Sequence, residues 1–278
     1  MADLKESSLF KSLGDQQKHW YYHHKVRVIR HLLARNLLNL SSCKSQGEVS
    51  DSSMLRCMDI GAGNGIISRT LGSSLSGKQV TWDLVDSAYS GQEIGQDETD
   101  PSIVLYDSIP GGIVYDVIIA IDVIEHIEGD KAFVNLLAQH LAPNGLIIIC
   151  VPAFQFLWGS HDIFLEHYRR YRIKDVTSLM SNFHLKVLDY SYLYVLLFPL
   201  IAIMRLLGRL GLLGIARDQA ASSSDLKVYP KAVNTILSSL MRFERLLLQN
   251  IPFLGLHFGS SCIAIGRKCK LASQVKAQ

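Results

Sequence analysis

The chain of 278 residues holds only five cysteines, an odd number, and no two of them have C-x-x-C spacing. A disulfide framework and a cysteine metal knuckle are set aside, and reduced thiols in a cytoplasmic protein are expected. A large excess of either charge is also missing. The 28 basic and 25 acidic residues leave a net charge of +3, too little for a nucleic-acid-binding surface. The start, "MADLKESSLFKSLGDQQ", lacks a basic segment followed by an apolar one, so no secretory signal is expected. No internal repeat is present. No apolar run reaches the roughly 20 uninterrupted residues that a membrane span needs. The best candidate, Tyr192 to Ile215, is broken by Pro199 and carries Arg205 and Arg209.

What the chain does have is alternation. "QQKHWYYHHKVRVIRHLLARNLLNL" (16–40) predicts an amphipathic helix, with Val26, Ile29, Leu33 and Leu37 on one face. A polar, Ser-rich stretch follows. Strand and helix patterns then alternate: "MLRCMDI", "GIISRTLGSSL", "QVTWDLVD", "SIVLYD", "YDVIIAID", "GDKAFVNLLAQHLAP", "NGLIIICVP", "IKDVTSLMSNF" and "LKVLDYSYLYV". The near-continuous apolar run in "YDVIIAI" fits a strand buried on both faces. Such β/α alternation predicts an α/β fold, a mostly parallel sheet with helices on both faces, whose ligands sit at the carboxyl ends of the strands.

The most informative stretch is "MDIGAGNGII". A strand ends at Ile60, and Gly61, Ala62, Gly63, Asn64 and Gly65 make a tight turn into a helix. The dinucleotide fingerprint G-x-G-x-x-G is incomplete, because Ile66 stands where its third glycine belongs. Asp59, just before the turn, suits a cationic ligand group such as the ammonium of a methionine moiety better than a pyrophosphate. Asp86 closes the second strand, where a carboxylate accepts from ribose hydroxyls. Asp107, at the end of the third, is placed either for an adenine amino group or as a turn acid before Pro110.

Together, "MDIGAGNG", Asp86, "YDVIIAIDVIEHI" and "LAPNGLIIICVP" resemble the class I S-adenosylmethionine-dependent methyltransferases over about residues 55–190. The resemblance implies a Rossmann-like sheet of seven strands, the last antiparallel, with S-adenosyl-L-methionine as cofactor. It implies that Asp59, Gly61, Ala62, Gly63 and Gly65 hold the methionine part and Asp86 and Ser87 the ribose. Asp107 and Ser108 would lie by the adenine, and Asp122 beside the cofactor. It also brings His126, in "DVIEHI", near the cofactor. One departure is "SGQEIGQDETDP" (90–101), where the family has a helix. The competing classes are a nicotinamide-dependent oxidoreductase on a doubly wound sheet and a catalytically silent cofactor-binding scaffold at a membrane.

"SHDIFLEHYRRY", Ser160 to Tyr171, crowds acid–base groups behind the fifth strand. His161 or His167 could serve as a base. Arg169, Arg170 and Arg172 could clamp an anion, with Asp162 and Tyr168 also facing the acceptor. A salt-bridge cluster would be purely structural. A metal site of His161, Asp162, Glu166 and His167 matches no zincin spacing, and no metal is expected. The block resembles one in a bacterial methyltransferase subgroup linked to quinone, lipid or envelope-glycan modification. The chain is therefore divided into an N-terminal helix and linker closing over the cofactor (1–54), a cofactor-binding unit (55–194), an apolar helical insertion (195–257), and a final strand and tail (258–278). The acceptor expected is a small-molecule or lipid-like compound, methylated on a hydroxyl. Residues 192–215 serve either as a lid or as a peripheral contact with the inner face of a membrane.

Overall fold

The computed structural model describes residue 10 and residues 12–42, 54–90, 94–210, 228–250 and 257–269. The strands are β1 (Met54–Ile60), β2 (Ser74–Leu75), β3 (Lys78–Val85), β4 (Gly95–Gln96), β5 (Ile103–Tyr106), β6 (Tyr115–Ile121), β7 (Leu141–Pro152), β8 (Leu185–Leu193) and β9 (Ser261–Lys268). The helices are α1 (Leu13–Lys18), α2 (Trp20–Ser42), α3 (Ile66–Leu71), α4 (Asp130–His140), α5 (Ser160–Phe164), α6 (Ile173–Ser181), α7 (Phe198–Arg209) and α8 (Lys231–Asn250).

One sheet runs in the order β4-β5-β3-β1-β6-β7-β9-β8, with β2 paired to β3. β5, β3, β1, β6 and β7 are mutually parallel, and β9 runs antiparallel to both neighbours. These are the seven expected strands with the last one reversed. β2 and β4 are two-residue additions.

Side-chain parity along the strands divides the core into two layers. Cys57, Val117, Ile119, Ile148 and Ile265 face α2 and α3, while Met58, Ile118, Ala120, Ile149 and Ala264 face α4 and α6. α2 buries the expected face, with Val26, Ile29, Leu33 and Leu37 in the first layer.

Two local expectations change. The N-terminal helix is interrupted at His19, whose extended backbone (ψ 131°) separates α1 from α2. The helix after the glycine turn stops at Leu71, where Gly72 (φ 79°) ends it. In the stretch after Asp86, where the sequence departs from the family's helix, Gly95 and Gln96 form an edge strand on β5. No helix among the described residues is long and apolar enough to cross a membrane. Of the apolar run 192–215, Tyr192 and Leu193 complete β8, α7 follows, and 211–215 lie outside the described residues.

Candidate active site

The parallel strands end level with one another. Ile60 pairs with Val85 and Val85 with Tyr106, while Ile121 pairs with Cys150. Asp59, Asp86, Asp107 and Asp122 are therefore gathered along one edge. Gly61, Gly63 and Gly65 all take positive φ (67°, 55° and 72°). A Cβ on Gly61 would run into the Val123 side chain, and one on Gly65 into Leu84. The bare backbone is thus imposed by packing as well as by the turn. Asp86 braces the turn by accepting from the Gly63 and Ala88 amides, each at 2.9 Å. Tyr89 donates to the Gly63 carbonyl at 2.5 Å.

Asp59 is buried, and its Oδ2 has no hydrogen-bond partner. Burial pushes its carboxyl up to about 7, against hydrogen bonding from Ser68, and nearby Asp86 adds to the rise. An enclosed carboxylate with an empty oxygen is matched by a cationic partner. The residues present therefore fit the ammonium of a methionine moiety.

Asp122 follows β6 in a left-handed conformation (φ 56°). Lys25 of α2 donates to it, and the Tyr21 hydroxyl does so at 3.2 Å. Lys25 is fully buried. Burial pulls its ammonium down, but the Asp122 carboxylate together with the neighbouring Tyr21, Cys150 and Tyr194 holds it well above the ordinary range. Tyr21 stacks on Tyr194 at 5.2 Å, and Gln16 of α1 accepts from Asn64 of the turn at 2.6 Å. The N-terminal helices thus touch both the glycine turn and the end of β6. Asp122→Ala, which strands the Lys25 charge, should destabilise the fold by about 3 kcal/mol in urea titrations. Lys25→Met should cost less, because Asp122 keeps a quarter of its surface in solvent.

A five-residue segment joins this turn to the histidines. Val123 sits over Gly61, and the ring of His126 lies 4.6 Å from that of His167, edge to face. The backbone of Tyr168 donates to the Glu125 carbonyl at 2.8 Å, tying the two loops together. His167 Nδ1 is 2.9 Å from Asp162 Oδ1. Arg170 forks onto both Asp162 oxygens at 2.7 and 2.9 Å, and the Gly159 amide donates at 2.8 Å. Asp162 is fully buried. Burial opposes its ionisation, but His167, Arg170 and Gly159 hold the carboxyl well below the usual carboxylate range. Burial, then repulsion from His167, lowers His126 to about 4, and its Nε2 is enclosed with no partner. Glu125, His126 and His167 also bring one ligand atom each within 4.8 Å of one another, a spread that could hold a metal ion.

The other candidate residues have neighbours of their own. Asp162 and Arg170, read as acceptor contacts, are engaged with each other, and Arg170 also donates to the Ala153 carbonyl. They orient His167 from behind. Arg169 pairs with Asp130 at 2.9 Å and is not a free clamp. The three-group cluster shares only His167 with the metal set read from the sequence. His161 lies 6.2 Å, ring to ring, from His167. Tyr168 is exposed, as are Asp107 and Ser108, which hydrogen-bond each other at 2.9 Å just beyond β5. Lys25 was missed, although a lysine four residues before Ile29, beside the apolar face of α2, is the signal that marks it. On α7, Arg205 lies over Gly159 and Arg209 donates to the Trp158 carbonyl at 3.4 Å. Both arginines thus reach the 158–159 turn, Arg209 from an exposed position, and Leu200, Ile203, Met204 and Leu206 are exposed as well.

The profile of a family described as "Methyltransferase domain" matches residues 21–190, more than half of the chain. The ubiquinone biosynthesis O-methyltransferase of Rickettsia typhi is 34% identical over 105 residues, 36% of this chain and 42% of that protein. That of Rickettsia prowazekii is 31% identical over 113 residues, 38% of this chain and 43% of that one. The chain thus spans less than half the length of these relatives. Among solved structures, the YcgJ protein of Bacillus subtilis is 14% identical at a TM-score of 0.49, covering 90% of this chain and 100% of its own. A Haemonchus contortus phosphoethanolamine N-methyltransferase in complex with S-adenosyl-L-methionine has a TM-score of 0.43 at 14% identity, covering 85% of this chain and 52% of its own. With the family profile lying across the glycine turn, Asp86 and the His126–His167 pair, the chain belongs to the methyltransferase-domain family, the class I S-adenosylmethionine-dependent methyltransferases.

Proposed function

We propose that the chain transfers a methyl group to the hydroxyl of an apolar, quinone-like, lipid or glycolipid acceptor. The observation that carries this reading is the segment 122–126. It ties the Gly61 turn, through Val123, to an imidazole pair backed by a buried carboxylate. The O-methyltransferase relatives favour a hydroxyl and a quinone-like ring. Bound S-adenosylmethionine would supply an electrophilic methyl on a sulfonium.

The chain's part is to position the acceptor and to take its proton. Asp59 and the glycine turn would hold the methionine end, and Asp86 with Ser87 the ribose. Asp107 and Ser108 would border the adenine. With Nδ1 turned to Asp162, His167 would present Nε2 as the proton acceptor. An acceptor hydroxyl held beside this imidazole would pass its proton to that nitrogen as its oxygen takes up the methyl group. His126 and His161 border the same imidazole. The N-terminal helices act as a cover over the cofactor, and the exposed apolar side of α7 as the place for an apolar tail or a bilayer surface.

Calorimetry with S-adenosylhomocysteine should give saturable binding, and its absence would sink the reading. A short-chain catechol or hydroquinone should be methylated on oxygen, whereas a silent scaffold would turn over neither. The rate should survive a chelating agent. Loss of activity with EDTA, restored by Mg²⁺ or Zn²⁺, would reassign Glu125, His126 and His167 to metal binding.

A further inference from the structure

We propose that the junction of α2 and α8 is a binding site for a phosphate group, formed by His23, Arg27, Arg242 and Arg245. His23 and Arg27 are four residues apart on α2, and Arg242 and Arg245 three apart on α8, so each pair shares one side of its helix. The helices are fastened to each other. The Trp20 amide donates to Asn234 Oδ1 at 2.9 Å, Asn234 Nδ2 to the Lys18 carbonyl at 2.9 Å, and His24 lies 3.6 Å from Glu244.

Glu244 is the acid of this junction, yet it points inward. It is fully buried and accepts from the Leu196 amide at 3.0 Å. Among the described residues no carboxylate pairs with Arg27, Arg242 or Arg245. Within the described residues Arg242 donates to Ser239 Oγ at 3.2 Å, and Arg245 Nε is sealed from solvent with no acceptor among them. The groups consequently work against one another. Burial and then Arg27, Arg242 and Arg245 lower His23, and burial and then Arg245 and Arg242 lower Arg27. Converging cations with no counter-charge among the described residues, one of them with a buried donor that has no acceptor there, call for an oxyanion. Guanidinium forks match the tetrahedral oxygens of phosphate. Phe243 and Leu246 stand exposed on α8 beside the site, so a phospholipid headgroup and a free phosphate both present the right chemistry.

The test compares the full chain with Arg242→Gln/Arg245→Gln, using Arg35→Gln, which loses an ordinary surface pair with Asp189, as the control. At matched ionic strength, 10 mM inorganic phosphate or pyrophosphate should raise the wild-type Tm by about 3 °C over chloride, and the double variant should lose that rise. Relief of repulsion should also leave the double variant no less stable than wild type in chloride. If soluble phosphate has no effect but co-sedimentation with phosphatidylglycerol vesicles, relative to phosphatidylcholine, falls about tenfold in the double variant alone, the headgroup is the ligand. Should the double variant not fold, the exposed Arg242→Gln alone should still weaken whichever response is seen. No response in the wild type, or an equal response in the variants, overturns the proposal.

Discussion

Asp59→Asn should do two opposite things, abolishing most cofactor binding while making the free protein more stable. The carboxyl is buried, keeps one oxygen unpaired and sits at about 7 rather than 3.8. The sign follows from proton linkage. Below about pH 4 folded and unfolded chains both hold the proton, and the site costs nothing. Between there and about 7 the unfolded chain ionises while the folded one does not, so stability falls as pH rises. Above about 7 the full cost is present. Asparagine removes an ionisation penalty on the order of 2–3 kcal/mol above pH 7, worth roughly 5 °C in Tm, and should flatten that stretch of the pH–stability curve. The same change removes the charge that meets an ammonium, so affinity for S-adenosylmethionine should fall by ~10- to 100-fold.

Calorimetry of the wild type in buffers of different ionisation enthalpy gives an independent reading. A cation bound beside Asp59 favours its ionised form, so binding at pH 6 should release close to one proton, and the release should shrink as pH rises through about 7. Affinity should correspondingly rise with pH through about 7. Equal binding by Asp59→Asn and wild type, with no proton release at pH 6, would remove Asp59 from the cofactor site.

The sheet and the glycine turn were legible because each rests on local chemistry. Alternating periodicity sets strands and helices, and "MDIGAGNG" needs three positive-φ residues in five positions. The acids at strand ends were legible for the same reason, since parallel strands of similar length finish on one edge. Contacts between distant segments were not. Lys25 meets Asp122 across 97 positions, and periodicity registers it only as a charge beside an apolar stripe. Within "SHDIFLEHYRRY" the sequence identified the groups but not which pairs face inward. One turn of helix at Ser160–Phe164 aims Asp162 at both His167 and Arg170, turning an apparent acceptor contact into a buried orienting carboxylate. The five-residue helix is too short for any periodicity to announce it.

That orienting carboxylate makes His167→Ala the most damaging change on the acceptor side. His167 is the imidazole whose Nδ1 is fixed by Asp162, and a positioned base contributes roughly 10²–10⁴ in rate. His167→Ala should lower kcat by about a thousandfold, with S-adenosylhomocysteine affinity and Tm nearly unchanged, and added imidazole should restore part of the rate. Asp162→Asn should lose rate as well as stability, because it leaves the guanidinium of Arg170 buried without its counter-charge. His126, held at about 4 by burial and by His167, is neutral at working pH and a weak proton acceptor there. His126→Ala should therefore cost less than His167→Ala. The pH profile separates the two imidazoles. If the acid limb of kcat/KM lies near pH 4 and survives in His167→Ala with turnover within threefold of wild type, the proton goes to His126, and the Asp162–Arg170 clamp serves the fold alone.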